Sequence, residues 1–182
     1  MGVYAGLLRG INVSGHNKIR MTDLKAALYT LGFENLSTYI QSGNLIFESD
    51  ISSATDLEKL IEDKIRTVFE LDIRCLVHTK KEFQYYFEQT PFQQDEIDTK
   101  MLYYIHLEKE ADPSLFEEMV NNENCEEEMR LKGKLIYVYY PKGYGRSKLV
   151  NNFFERKLKM KATARNFNTM KNMNDALNIF AH

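Results

Sequence analysis

Val3-Tyr-Ala-Gly-Leu-Leu-Arg-Gly-Ile-Asn-Val-Ser-Gly-His-Asn-Lys18 passes from an unbroken apolar run into a glycine-bearing polar loop. Val3 to Leu8 is short, apolar and interrupted only by glycine, which predicts a buried strand. Beyond the loop, Met21, Leu24, Ala27, Leu28 and Leu31 recur at helical spacing, with Asp23 in the first turn and Gly32 as a stop signal. About a dozen residues without apolar periodicity therefore join a strand to a helix, and loops that long are often functional.

Working outward, Leu36 to Gln41 and Asn44 to Glu48 are two short strands around a Ser42-Gly43 hairpin signal. Ser52 and Ser53 offer caps for a helix whose apolar side is expected to hold Leu57, Leu60, Ile61, Ile65, Val68 and Phe69. Ile73, Cys75 and Val77 close the series as a strand. The order strand, helix, strand, strand, helix, strand is that of the ferredoxin-like plait, two helices on one face of an antiparallel sheet.

The same order returns after a helix expected over Lys81 to Gln89. Met101 to Leu107 is a strand and Pro113 to Val120 a helix. Cys125 to Leu131 and Leu135 to Tyr140 form a hairpin, Ser147 to Lys159 a helix, Ala162 to Asn166 a strand and Thr169 to Phe180 a last helix. The expectation is an α+β chain of two tandem ferredoxin-like subdomains, residues 1–79 and 100–182, with a bridging segment at 80–99 and a C-terminal helix. Element order alone supports the duplication, because no residue-level repeat is visible.

Composition narrows the function classes. The chain of 182 residues carries 24 basic and 26 acidic side chains, so its overall field does not attract nucleic acid. Charge is nevertheless uneven: residues 108–128 hold nine acids and only Lys109, while 130–171 hold twelve bases and only Glu155. Two unpaired cysteines, Cys75 and Cys125, and no apolar run near 18 residues point to a cytoplasmic protein without membrane association.

In the plait, the loop after the first strand and the hairpin between the second and third emerge at the same end of the sheet. Arg9, Gly10, Asn12 and Lys18 should therefore face Gln41, Ser42 and Asn44. Gly10 and Gly15 permit unusual backbone angles, and Arg9, Lys18 and Arg20 bring positive charge to a helix entrance whose free N–H groups favour anions. In the second subdomain, the turn containing Arg146 and the strand end at Arg165, Asn166, Asn168 and Thr169 should share the opposite end. The loop is neither a Walker loop nor a dinucleotide fingerprint, no cofactor is implied, and no histidine or cysteine spacing fits a metal. Asparagine also serves turns, so each amide has a purely structural alternative. Ser42 and His16 are a hydroxyl and an imidazole without an evident third orienting group.

The residues also carry a resemblance. Arg9-Gly-Ile-Asn-Val-Ser-Gly, Lys18-Ile-Arg-Met21, Thr38-Tyr-Ile-Gln-Ser-Gly-Asn44 and Thr163-Ala-Arg-Asn-Phe-Asn-Thr169 resemble the signatures of the bacterial domain of unknown function 1697 family. The likeness implies a two-part intracellular α+β protein and no activity. Ser14 stands where that family commonly has glycine, and Phe167 where it commonly has tryptophan.

Three functions stay open at this level. One is binding of a small anionic or nucleotide-like ligand, with or without chemistry. Another is a single-stranded nucleic-acid module stacking bases on Tyr103, Tyr104, Tyr137, Tyr139 and Tyr140. The last is a protein-interaction or dimerisation module using open sheet faces.

Overall fold

A computed structural model describes residues 1–122 and 125–180, leaving aside the side chain of Asn122. The chain divides into two compact units, Met1–Tyr85 with Met173–His182, and Tyr86–Asn172. Each contains a four-stranded antiparallel sheet with the strand order of the ferredoxin-like plait.

In the first unit, β1 (Gly2–Leu8) is central, between β3 (Asn44–Ser49) and β4 (Cys75–Thr79), with β2 (Glu34–Tyr39) outside β3. Helices α1 (Met21–Tyr29) and α2 (Ala54–Phe69) supply the rest of the core. Tyr4, Leu8, Leu45, Phe47, Cys75 and Val77 cluster with Leu24, Leu28, Leu57, Ile61 and Ile65. Each fully buried Leu or Ile side chain is worth about 1.5–3 kcal/mol.

Ser53 caps α2 by accepting from the Asp56 N–H at 3.2 Å, as its place before the apolar pattern predicts. The apolar face of α2 is narrower than its sequence indicates. Leu57, Ile61 and Ile65 are buried, whereas Leu60 and Val68 are 36% and 50% exposed. Glu62 is buried instead, and its carboxylate accepts the Cys75 N–H at 2.9 Å. Glu58 accepts the Val77 N–H at 3.0 Å. The outer edge of β4 is thus closed by side chains from α2, satisfying donors that an edge strand otherwise offers to other chains.

In the second unit, β5 (Leu102–Leu107) lies between β7 (Leu135–Tyr139) and β8 (Ala162–Asn166), with β6 (Glu128–Lys132) outermost. α4 (Pro113–Asn122) and α5 (Asn151–Leu158) cover one face. Glu155 of α5 accepts the Ala162 N–H at 3.1 Å, so β8 is partly closed in the same manner as β4.

The other face of this sheet is also buried. Residues of α3 (Lys80–Glu88) and α6 (Phe167–Leu177) lie on it: Tyr137 donates to the Tyr86 carbonyl at 2.7 Å, and Phe87 stacks on Tyr104. Phe167 is buried and meets Phe87 with ring centroids 5.7 Å apart, so the position serves as an aromatic packing site.

Several boundaries differ from expectation, three of them beside candidate residues. The predicted strand from Cys125 begins only at Glu128, after an irregular stretch, and Glu123 of the acidic run lies outside the described residues. The helix expected from Ser147 begins at Asn151, behind a short 3-10 turn at Tyr144–Arg146. The last helix starts at Phe167, two residues early, because Asn166 caps it by accepting from the Thr169 N–H at 2.9 Å.

Candidate functional site

The two polar loops of the first unit meet. Leu8 donates its N–H to the Gly43 carbonyl at 2.8 Å, extending the β1–β3 ladder into the hairpin. Asn12 then ties the loops together. Its amide donates to the Gln41 and Ile19 carbonyls, both at 2.9 Å, and accepts from the Ile19 N–H at 2.9 Å. Asn17 donates to the Gly10 carbonyl at 3.0 Å, and the Asn12 N–H donates to the Asn17 carbonyl at 3.1 Å. Beneath the hairpin, fully buried Asn44 donates to the Tyr39 carbonyl and to Ser42 Oγ, both at 3.0 Å. These asparagines spend their amides mainly on loop and hairpin backbone.

The loop needs such clamps because much of it is left-handed. Gly10, Asn12, Ser14, Gly15 and Asn17 all have φ between 48° and 80°. Glycine adopts that region freely and asparagine tolerates it. Ser14, at φ 49°, therefore occupies a position where glycine would be the unstrained choice.

Charge surrounds this rim. Arg9 starts the loop, with its N–H bonded to the Arg74 carbonyl at 2.8 Å, and Lys18 is exposed, making no ion pair among the described residues. Arg20 holds Asp23 at 2.8 Å and stands at the start of α1, where no side chain caps the first turn. Gln41 is exposed and Ser42 half-buried. His16 is exposed and, among the described residues, its ring has no hydrogen-bond partner, so it does not activate Ser42. Val13 and Ile40, apolar residues inside the motifs, are 55% and 49% exposed.

The remaining candidates belong to the second unit. Arg165 is buried and donates to Thr163 Oγ1 and the Ala164 carbonyl, both at 2.8 Å. Asn166 caps α6 and hydrogen-bonds Tyr103, while Asn168 is exposed. The Thr163–Thr169 motif thus builds the joint between a strand and a helix.

Arg146 is exposed in its turn and lines a cleft of about 510 Å³ with Lys142, Lys148, Glu126, Glu127 and Cys125. Lys142 binds Glu126 at 2.8 Å, and Lys161 lies 3.6 Å from Glu108, so the acidic and basic stretches partly neutralise one another. Lys142 and Lys148 flank Arg146 within the basic stretch of the sequence; what folding adds to the cleft is Cys125, Glu126 and Glu127. Of the five tyrosines, Tyr104, Tyr137 and Tyr140 are buried. Burial pushes the Tyr104 phenol up to about 12, partly offset by its hydrogen bond with Thr90, and raises Tyr140 further. Tyr103, half-buried, stacks on Tyr144 at 4.5 Å.

Fold and site together define a two-part α+β protein built from ferredoxin-like halves, with an asparagine-clamped polar rim on the first. Residues 1–137 match the family described as protein of unknown function (DUF1697), and the chain belongs to that family. The match includes the motifs at Arg9, Lys18–Met21 and Thr38–Asn44 and ends before the one at Thr163–Thr169. Among solved structures, the conserved bacterial protein SP0830 from Streptococcus pneumoniae is similar over 97% of this chain and 98% of its own. It shares 24% sequence identity with a TM-score of 0.73, a likeness of fold. No curated protein matches. No helix among the described residues is long and apolar enough to cross a membrane.

Proposed function

We propose that the protein binds a small anionic ligand at the rim formed by Arg9 to Arg20 and Gln41 to Asn44. The observation that carries this reading is the Asn12 clamp, which joins loops 29 positions apart through one hydrogen bond to Gln41. A loop so fixed presents its groups without the ordering cost that a mobile loop would meet on binding. Exposed Lys18, together with Arg9 and Arg20, supplies positive charge beside the uncapped first turn of α1, whose N–H groups favour an anion. Asp23 moderates that field by holding Arg20. The single-stranded nucleic-acid alternative has less support, since of its five tyrosines Tyr104, Tyr137 and Tyr140 are buried while Tyr103 and Tyr139 are partly exposed.

Thermal melting against inorganic phosphate, carboxylates and phosphorylated metabolites tests the proposal. A ligand at a hundred times its Kd adds about 2.7 kcal/mol, a rise of roughly 5–10 °C for a chain of this size. Lys18→Ala and Arg9→Ala should reduce that rise while leaving the unliganded fold intact. No shift with any compound, or full response in both variants, removes the proposal. Asn44 is unsuitable as a control, since it holds the hairpin from beneath.

A further inference from the structure

We infer that the cleft of the second unit is a separate binding site, for a small acidic amino acid with two carboxylates and one ammonium group. Its volume of about 510 Å³ falls within the range of about 300–1,000 Å³ typical of small-molecule sites. Two segments line it: residues 125–127, just before β6, and the connection from β7 to α5, which carries Lys142, Arg146 and Lys148. The basic segment is anchored to the sheet. Tyr140 donates its hydroxyl to the Leu149 carbonyl at 2.6 Å, and Tyr144 stacks on Tyr103 of β5 with ring centroids 4.5 Å apart.

Charge decides the occupant. Lys142 is engaged by Glu126, 2.8 Å away. Arg146 and Lys148, both exposed, make no ion pair among the described residues, and neither does the half-buried Glu127 of the other segment. Two cations and one carboxylate around the same hollow are therefore left to be matched. A simple dianion would satisfy the cations and meet Glu127 as a like charge, and an amine would do the reverse. A molecule with two carboxylates and one ammonium complements all three. Arg146 suits a carboxylate through paired N–H groups, and partial enclosure strengthens each pair relative to open water.

The exposed Cys125 thiol lines this cleft, whereas Cys75 is buried in the first unit, so alkylation of the native protein reports occupancy here alone. The rate at which neutral iodoacetamide labels Cys125, followed by mass spectrometry, is measured at constant ionic strength with three probes: L-glutamate, glutarate, which lacks the ammonium, and L-glutamine, which lacks the second carboxylate. L-Glutamate should slow labelling at a concentration about fivefold below either analogue, the factor expected from one partly exposed charge pair. Arg146→Ala and Lys148→Ala should each weaken protection by glutamate, and Glu127→Gln should bring glutamate and glutarate to the same concentration. An unreactive Cys75 shows that each variant is folded. Equal protection by the three probes, protection by none, or protection unchanged in all three variants overturns the inference. The rim proposal stands apart from every one of these results, because its residues belong to the first unit.

Discussion

Gly43 has no room for a side chain. A Cβ there would fall 2.6 Å from Leu8 Cβ and 2.8 Å from Ile11 Cδ1, with the backbone at φ 75°. Gly10, at φ 71°, has nothing within 4 Å of the same position. The two therefore separate packing from conformation. Gly10→Ala should cost about 1–2 kcal/mol for the left-handed backbone alone, and Gly43→Ala more than about 3 kcal/mol because displacement of Leu8 and Ile11 is added. Urea unfolding of the two variants checks the order; equal losses would mean that Leu8 and Ile11 relax at no cost. The Ser42-Gly43 turn was legible in the sequence, and so was the glycine requirement. That Asn12 would face Gln41 followed from the plait's topology, but that its amide would tie the loops through the Gln41 carbonyl did not. An amide's local spacing shows that it can serve a turn; which carbonyls it reaches is decided by long-range topology.

At the scale of elements, the order of strands and helices was readable because apolar periodicity is a local property. Which side chains a helix buries is set by the curvature of what it packs on. Leu60 and Val68 matched the helical pattern of α2 and yet face solvent, while Glu62 is drawn inside by the edge-strand N–H of Cys75, which it accepts, and by Arg74, 3.6 Å away. Ile61→Ala should cost about 2–5 kcal/mol and Leu60→Ala about 0.5 kcal/mol, measured by urea unfolding. Glu62→Ala strands a buried donor and should cost about 1–3 kcal/mol, and Glu62→Gln should recover part of this through its remaining carbonyl. If Gln and Ala are equally harmful, the carboxylate's charge, and not its acceptor role at β4, is what matters. The second unit uses Glu155 at β8 in parallel, a resemblance between the halves that no comparison of their residues discloses.

For the whole molecule, buried phenols set an alkaline limit. Tyr104 holds its proton up to about pH 12, whereas an unfolded tyrosine ionises near 10. Tyr140, whose hydroxyl donates to the Leu149 carbonyl at 2.6 Å, is raised in the same direction, chiefly by burial. A raised folded value means that the stabilisation is complete below pH 10 and is lost as pH climbs through 10 toward 12, at about 1.4 kcal/mol per pH unit for each phenol. Phenolate absorbance should therefore rise for these two residues only together with loss of tertiary structure, as followed by near-ultraviolet circular dichroism. Early titration with the fold intact would show that water reaches them.

The first unit also borrows its completion from far along the chain. Lys80 bonds the Phe180 carbonyl across 100 positions, and Gln84 bonds Asn178 across 94. During synthesis, residues 1–85 leave the ribosome long before 173–180 exist to join them, and the entire intervening unit is made in the meantime. The half that carries the rim is thus the last to be finished although it is the first to be made, and a nascent chain halted after its opening domain would hold the clamp loops without the closing helix.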